Sequence, residues 1–187
     1  MRASTATQSQ GNRRMLLKNY GLFWKTENVF WGRLKNSGGL LGLSAFEKRF
    51  GPVDFRDQAG IYALYADYDL LYVGQTGGKG QRLLARLNQH RRDDLAERWN
   101  MFSWFGTRAV SDVGSLVKEE PGATSTRQEV LNHLEAILIH VAEPALNRQG
   151  GKWGDGVEKY LQHRDEEQLG PTVENMIKEM WKAKSET

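Results

Sequence analysis

The sequence predicts an α+β fold, a small three-stranded antiparallel sheet flanked by helices, with extensions at both ends of the chain. Three observations predict it. Residues 60–75 contain two short apolar and aromatic runs around an Asp-containing turn, which is typical of a tight β-hairpin. A third run, at 99–108, alternates apolar and polar residues. Residues 81–92 and 126–141 have apolar side chains at helical spacing. We expect these elements to form one domain over residues 58–150.

The composition is ordinary for a globular protein except that it lacks cysteine. The 187 residues are 39% hydrophobic and 26% charged, and the absence of cysteine excludes disulfides, thiolate metal sites and cysteine nucleophiles. A bound metal would be held by oxygen or imidazole, which favours Mg²⁺ or Mn²⁺. No apolar run reaches the roughly 20 residues that span a bilayer, and no segment resembles a signal peptide. We expect an intracellular protein with no membrane partner.

Basic residues are concentrated in the first quarter of the chain. Residues 1–50 carry nine Lys and Arg against two acidic residues, whereas residues 51–150 carry eleven against thirteen. Residues 1–14 are predicted to be a flexible basic tail and residues 15–57 an aromatic and basic extension. Such a segment suits DNA, because neutralised phosphates release counterions; a solvated tail is the alternative. The candidate DNA-contacting residues are Arg13, Arg14, Lys18, Lys25, Arg33 and Lys35.

The aromatic residues of this extension allow two interpretations. Trp24, Phe30 and Trp31 alternate with cations, an arrangement that can stack on bases while binding phosphates. Aromatic side chains of this kind also pack onto a neighbouring hydrophobic core, which is the commoner arrangement.

The first helix carries basic side chains directly after the predicted hairpin. A glycine-rich loop leads into it, and leucines form its apolar stripe. Arg82, Arg86 and His90 recur every four residues on the opposite face. A basic face exposed to solvent is one interpretation. Because the helix follows the hairpin at once, the other is that this row lies beside Tyr62 and Tyr72, one on each strand.

The second helix is predicted to begin at a capping box, Thr126 to Glu129, and to continue to about Val141. Glu135 falls among its apolar positions, where a carboxylate would be partly buried. Buried glutamates are rare unless they are paired or bind a metal, so Glu135 is a candidate metal ligand. A surface glutamate beside the apolar stripe is the alternative. The predicted apolar face consists of Val130, Leu131, Leu134, Ile137, Leu138 and Val141.

The rest of the chain is predicted to be turn and helix. Asn147 lies in the turn after the second helix, where an asparagine commonly bonds its own backbone. Residues 151–187 are expected to form a helical C-terminal extension, with a final helix opened by Pro171.

Two tripeptides on the hairpin carry a resemblance to a known family. The chain reads Gly60-Ile61-Tyr62 on the first strand and Tyr72-Val73-Gly74 on the second. This pair resembles the signature of the GIY-YIG nucleases, which cut DNA phosphodiester bonds with a divalent metal. That family also has an Arg on the first helix, often a His or Tyr one turn later, then a Glu on a later helix and an Asn in the following turn. This chain offers the same residue types in the same order: Tyr62, Tyr72, Arg86, His90, Glu135 and Asn147.

The resemblance implies how phosphate and metal would be held. Glu135 would bind one Mg²⁺ or Mn²⁺, with water and a phosphate oxygen as the other ligands. Arg86 would make charge-assisted hydrogen bonds to the scissile phosphate. Family members commonly have this Arg about ten residues after the second Tyr, which would select Arg82. We prefer Arg86, because Arg86 to His90 matches the family's Arg-Leu-x-x-His pattern, and Arg82 is the alternative.

The resemblance also implies how the proton would move. Tyr62 would be the general base, although its ordinary pKa of about 10 requires nearby cations to favour the phenolate. Tyr72 and His90 would orient water or assist proton transfer, and Asn147 would hold the hydrogen-bond network. The chain is therefore predicted to be a metal-dependent DNA endonuclease, with double-strand cleavage requiring sequential nicking or two copies such as a homodimer. A catalytically inactive module that binds nucleic acid or protein on the same fold is the alternative.

Overall fold

The computed structural model describes residues 16–33, 37–46, 51–76, 81–118, 127–142 and 157–185. In chain order the strands are β1 (Asn19–Lys25), β2 (Leu41–Ser44), β3 (Val53–Asp54), β4 (Gly60–Ala66), β5 (Asp69–Thr76), β6 (Met101–Gly106) and β7 (Glu158–Gln162). The helices are α1 (Leu83–His90), α2 (Arg127–Ala142), α3 (Glu166–Leu169) and α4 (Val173–Ser185), and a 3-10 turn covers Thr26–Asn28.

The strands form one seven-stranded mixed sheet in the order β3-β2-β7-β1-β6-β4-β5. Every pairing is antiparallel except that of β1 with β7, which is parallel. The prediction of a small three-stranded antiparallel sheet flanked by helices was therefore wrong. The three expected strands, β4, β5 and β6, are present at one edge, and four further strands extend the sheet beyond β6.

The segments expected to be extensions supply those four strands. Residues 15–57 contribute β1, β2 and β3, and residues 151–187, expected to be helical, contribute β7 before α3 and α4. Aromatic burial explains why they join the sheet. Trp24 of β1 is 1% exposed and meets Trp104 of β6 edge-on at 5.4 Å, and Tyr160 of β7 is fully buried at 4.6 Å from Phe55. The interpretation that Trp24 packs into a core is confirmed.

Two clusters of buried side chains cover the two faces of the sheet. Neighbouring residues of a strand point to opposite faces, so Tyr62 and Ala63 of β4 belong to different clusters. In the first, which we call the α1-side cluster, the leucines of α1 pack with Tyr62, Leu64, Trp99, Phe102 and Trp104. In the second, the α2-side cluster, Ala136, Ile137 and Val141 of α2 pack with Tyr20, Ala63, Tyr65, Met101 and Phe105.

The helix α2 is turned relative to its predicted apolar face. His133 and Ala136 are each 1% exposed, whereas Leu134 is 45% and Leu138 65% exposed. Ile137 and Val141 of the predicted face are buried with Ala136, so the packed side of the helix coincides with that face only in part. The longest helix in the described part of the chain, α2, has 16 residues, and none there has the length and apolar character of a membrane span.

Candidate active site

The hairpin of β4 and β5 places both motif tyrosines on the α1 side of the sheet. Tyr62 pairs with Gly74 and Leu64 with Tyr72. Tyr62 is fully buried, and its ring centroid lies 6.2 Å from that of Tyr72. A Cβ at Gly74 would overlap the Tyr62 Cζ and hydroxyl oxygen and approach Tyr72 Cε1 to 2.7 Å. The glycine of one tripeptide therefore makes the space that the tyrosine of the other occupies.

His90, the last residue of α1, lies against both tyrosines. The α1 leucines are buried on the sheet, and His90 continues their buried side at 4% exposure. Its Nε2 is 2.7 Å from the Tyr62 hydroxyl, and its ring centroid is 4.9 Å from that of Tyr72. The interpretation of this part of the helix as a solvent-exposed basic face is therefore wrong for His90.

The second nitrogen of His90 is bound by a carboxylate that sequence reasoning missed. His90 Nδ1 lies 2.8 Å from Asp93 Oδ2, and the Leu95 N–H donates to Asp93 Oδ1 at 3.0 Å. The Leu95 hydrogen bond is the main cause that holds the pKa of Asp93 below its ordinary value; burial opposes it, and His90 and the charge of Arg86 add to it. The sequence signal was an acid three residues after the histidine, where the chain leaves the helix.

Arg86, one turn before His90, is the cation that acts on Tyr62. Burial raises the pKa of Tyr62 above its ordinary value, Arg86 opposes this through its charge and side-chain hydrogen bonding, and Tyr72 raises the pKa further. Arg86 Nη1 donates to Gln89 Oε1, whereas its buried Nε has no hydrogen-bond partner among the described residues. A guanidinium can donate charge-assisted hydrogen bonds to phosphate oxygens. Together these residues form what we call the Tyr62 cluster: Tyr62, Tyr72, Arg86, His90 and Asp93.

Arg82, the alternative phosphate-binding residue, lies one helical turn earlier. It immediately precedes α1, with an extended backbone at φ −117° and ψ 164°, and is half-buried. The arginine whose charge affects the pKa values of both Tyr62 and Asp93 is Arg86. Of the two arginines, Arg86 is thus the one that the electrostatics of the Tyr62 cluster involve.

The described residues around Tyr62 do not themselves form a Mg²⁺ or Mn²⁺ site. Nowhere in the described ranges does a group of three or more histidine and acidic side chains suit a metal ion. Asp93 supplies a carboxylate next to His90, but one of its oxygens is bonded to His90 and the other to Leu95. The buried residues of α2 contact the other face of the sheet. The side chain of Glu135 and all of Asn147 lie outside the described residues.

Three of the basic residues proposed to contact DNA, Lys18, Lys25 and Arg33, lie within the described part of the N-terminal segment. Lys18 precedes β1 and Lys25 ends it, so the two lie at opposite ends of this strand. Lys25 Nζ lies 3.7 Å from a carboxylate oxygen of Glu27, and Arg33 is exposed. The other three candidates lie outside the described residues: Arg13, Arg14 and Lys35.

The chain matches no protein-family model, no curated protein and no solved structure. What the chain does must therefore be inferred from the chemistry of the Tyr62 cluster and from the resemblance carried by its motif.

Proposed function

We propose that the protein is a metal-dependent endonuclease that hydrolyses phosphodiester bonds in DNA. The observation that supports this most strongly is the meeting of Tyr62, Tyr72, Arg86 and His90 on one face of the sheet. The motif pointed to these four residues on three separate elements. They lie together around the 2.7 Å contact between Tyr62 and His90, and residues that act in one reaction must lie together in this way.

The cluster contains the groups that hydrolysis of a phosphodiester needs. A base must take a proton from the attacking water, and positive charge must stabilise the phosphoryl oxygens in the transition state. Tyr62, in contact with His90, is the proposed base. Arg86 is permanently charged and partly exposed, and its guanidinium is the proposed donor to the scissile phosphate. Tyr72, which contacts both rings, would orient the water.

The metal is part of the proposal because the family that the motif resembles cuts DNA with a divalent metal. Glu135 is the proposed protein ligand of one Mg²⁺ or Mn²⁺, and Asn147 the proposed support of the hydrogen-bond network. When bound, such an ion would neutralise charge on the phosphoryl oxygens. No described residue of the Tyr62 cluster offers it a free carboxylate, so Glu135 is the residue on which the metal part of the proposal depends.

DNA is the proposed partner, and the proposed location is therefore intracellular. Lys18, Lys25 and Arg33 are the described residues proposed to contact its backbone. Deleting the N-terminal segment is not a fair test, because β1 lies between β6 and β7 in the sheet. Single substitutions Lys25→Gln and Arg33→Gln should each reduce the salt slope of DNA binding by about 0.9 if the residue neutralises one phosphate. An unaltered slope would remove that residue from the interface.

A catalytically inactive binding module is the second candidate. The observation that favours it is the position of α2, which carries Glu135 and packs its buried side against the face of the sheet opposite Tyr62. In such a protein Arg86 would still bind a phosphate, but nothing would hold a metal beside it.

The deciding experiment incubates the full chain with supercoiled plasmid, single-stranded DNA and branched DNA in Mg²⁺, Mn²⁺ or EDTA. We expect nicking that requires metal and is lost in Tyr62→Phe and Glu135→Ala. Arg86→Ala should reduce the rate by about 10²-fold or more, as when a donor to a developing charge is removed. Arg82→Ala is its matched control and should have a much smaller effect.

Each outcome separates the alternatives. Wild-type cutting by Glu135→Ala would exclude Glu135 as the metal ligand. An equal or larger loss in Arg82→Ala would assign the phosphate to Arg82. Tight binding of DNA without cutting of any substrate, with or without metal, would favour the binding module.

A further inference from the structure

We propose that Asp93 is a positioning residue that fixes the tautomer of His90, so that His90 accepts a proton from water by way of the Tyr62 hydroxyl. The inference rests on the proposed function for its chemical role, but its structural part, the tautomer, can be tested without cleavage. Asp93 lies outside the set of residues to which the motif points.

The geometry is a chain of two hydrogen bonds through one buried ring. Tyr62 on β4 and Asp93 after α1 lie on opposite sides of His90, at 2.7 Å from Nε2 and 2.8 Å from Nδ1. Tyr72 on β5 packs on the ring at 4.9 Å between centroids, and the charge of Arg86 on α1 lowers the pKa values of both Tyr62 and Asp93. His90 is 4% exposed, so water does not compete freely for either nitrogen.

The chemistry of Asp93 determines which nitrogen of His90 carries the proton. An ionised carboxylate only accepts hydrogen bonds, so His90 Nδ1 must donate to it. In the neutral ring Nε2 is then left as an acceptor, and the Tyr62 hydroxyl donates to it. The Leu95 N–H holds the other carboxylate oxygen at 3.0 Å, which fixes the orientation of Asp93.

This arrangement solves a difficulty with Tyr62 as an isolated base. Tyr62 is fully buried, and burial raises its pKa, so a standing phenolate is disfavoured. With Nε2 as an acceptor, Tyr62 passes its own proton to His90 as it receives one from water. The negative charge then resides on the attacking oxygen, near Arg86, and Asp93 stabilises the imidazolium that forms.

The step balances as a hydrolysis. The water proton goes to the Tyr62 oxygen, the Tyr62 proton goes to His90 Nε2, and the water oxygen forms a bond to phosphorus. The ester bond between phosphorus and the leaving oxygen breaks, its electron pair stays on that oxygen, and a solvent proton neutralises it. His90 then returns its extra proton along the same path, through the Tyr62 hydroxyl to water, and the cluster is restored.

Asp93→Asn is the informative substitution. The Leu95 N–H still requires an acceptor, so the amide oxygen remains there and the amide NH₂ faces His90 Nδ1. Nδ1 must then accept, the proton moves to Nε2, and Tyr62 no longer has an acceptor. The matched control is Asp94→Asn, which removes the same charge from the adjacent, exposed residue.

The first measurement is the tautomer itself, from the ¹⁵N shifts of the imidazole nitrogens by NMR in the metal-free protein. The four histidines give few signals, and the His90 signals are assigned by their loss in His90→Gln. We expect protonated Nδ1 in the wild type and Asp94→Asn, and protonated Nε2 in Asp93→Asn. A wild-type ring protonated at Nε2 alone would overturn the proposal, whether or not Asp93→Asn folds.

The second measurement is plasmid nicking. Asp93→Asn should lower the rate by about 10²–10⁴-fold, the range for loss of general acid–base catalysis, while Asp94→Asn leaves it unchanged and Asp93→Glu restores part of it. Wild-type nicking by Asp93→Asn would overturn the role of Asp93 while leaving the nuclease proposal intact. If the wild type cuts no DNA, the nuclease proposal and the relay fail together, and only the tautomer assignment stands on the NMR result.

Discussion

The two faces of the sheet bury the same kinds of side chain with different results. On the α1 side, β4 contributes Tyr62 and α1 contributes His90, and the two are joined at 2.7 Å. On the α2 side, β4 contributes Tyr65, which packs on Phe23 with ring centroids 5.0 Å apart. On the same side, His140 Nδ1 lies 2.8 Å from the carbonyl oxygen of Ala136, one turn earlier in α2.

Strand register decides where a tyrosine and a histidine can meet in this sheet. Tyr62 and Tyr65 differ in the neighbour that faces them across the strand pair, since Tyr62 lies opposite Gly74 and Tyr65 opposite Leu70. The missing side chain at Gly74 leaves room for a phenol and an imidazole to meet. Where larger side chains fill the surface, tyrosine serves as an aromatic core residue.

The largest effect is expected where that space is filled. Gly74→Ala places a Cβ on the Tyr62 ring, so Tyr62 must leave His90 or the strands must separate. We expect loss of nicking and a free energy of unfolding lower by about 1–3 kcal/mol, as for an overpacked core, measured by urea denaturation. The control is Gly51→Ala, whose Cβ would have open space around it. Wild-type nicking by Gly74→Ala would contradict the role assigned to this space.

The next effect distinguishes the two tyrosines of β4. Tyr62→Phe removes the proposed base and leaves His90 Nε2 buried without its partner, so nicking should fall by about 10²–10⁴-fold and stability by about 1–3 kcal/mol. Tyr65→Phe makes the same change on the other face and should leave nicking within about twofold of wild type. Similar losses in both variants would mean that the two faces do not differ as proposed. Nicking rates and urea denaturation curves measure both quantities.

A smaller effect is expected at alkaline pH. Because burial raises the pKa of Tyr62, the folded protein keeps a proton that the unfolded chain releases above its ordinary value of about 10. The contribution to stability is therefore complete below pH 10 and is lost as the pH rises further, with a slope of at most about 1.4 kcal/mol per pH unit. Tyr62→Phe should reduce the loss of stability above pH 10, whereas Tyr68→Phe, a change at an exposed tyrosine, should not. An identical decline in wild type and Tyr62→Phe would contradict this.

The smallest effect concerns the rim of the α1 side. The Arg91 guanidinium lies 4.3 Å from the ring centroid of Trp31, which in turn meets Trp99 edge-on at 6.1 Å. Arg91→Ala should lower stability by about 0.5–1 kcal/mol through loss of this cation–π contact, measured by thermal unfolding. Arg92→Ala, its exposed neighbour, should change stability by less. A larger loss in Arg92→Ala would show that charge, rather than the ring contact, is what stabilises this rim.

The contacts around Tyr62 could be predicted better than the sheet, because they are local. Tyr62, Tyr72, Arg86 and His90 lie on a hairpin and the helix that directly follows it, so chain order brings them together, although the leucine pattern of α1 placed His90 on the wrong face of the helix. Asp93 was not predicted, because its contact with His90 depends on the turn after α1, where apolar residues do not recur at a regular spacing. The packed side of α2 was predicted in part: Ile137 and Val141 are buried as expected, whereas Leu134 and Leu138 are exposed and the buried Ala136 was not predicted.

The rest of the sheet depends on pairings between distant parts of the chain. β1 lies beside β7 in parallel, with Asn19 opposite Glu158, and no local pattern specifies such a partner. The segment Glu158–Gln162 has one fully buried side chain, Tyr160, with Lys159 before it and the exposed Leu161 after it, which gives too little alternation to predict a strand. Its strand state is set by the space between β1 and β2, a tertiary effect.

The position of β1 also has a consequence for how the chain is made. On the ribosome β1 is synthesised before any other described strand, yet one of its two neighbours, β7, is synthesised after all the others. The hairpin and α1 can assemble while the polypeptide is still growing. Until β7 arrives, however, the unpaired side of β1 is an open edge that can recruit a strand from another nascent chain. Prematurely ended translation products should therefore aggregate, even though they already contain the entire Tyr62 cluster.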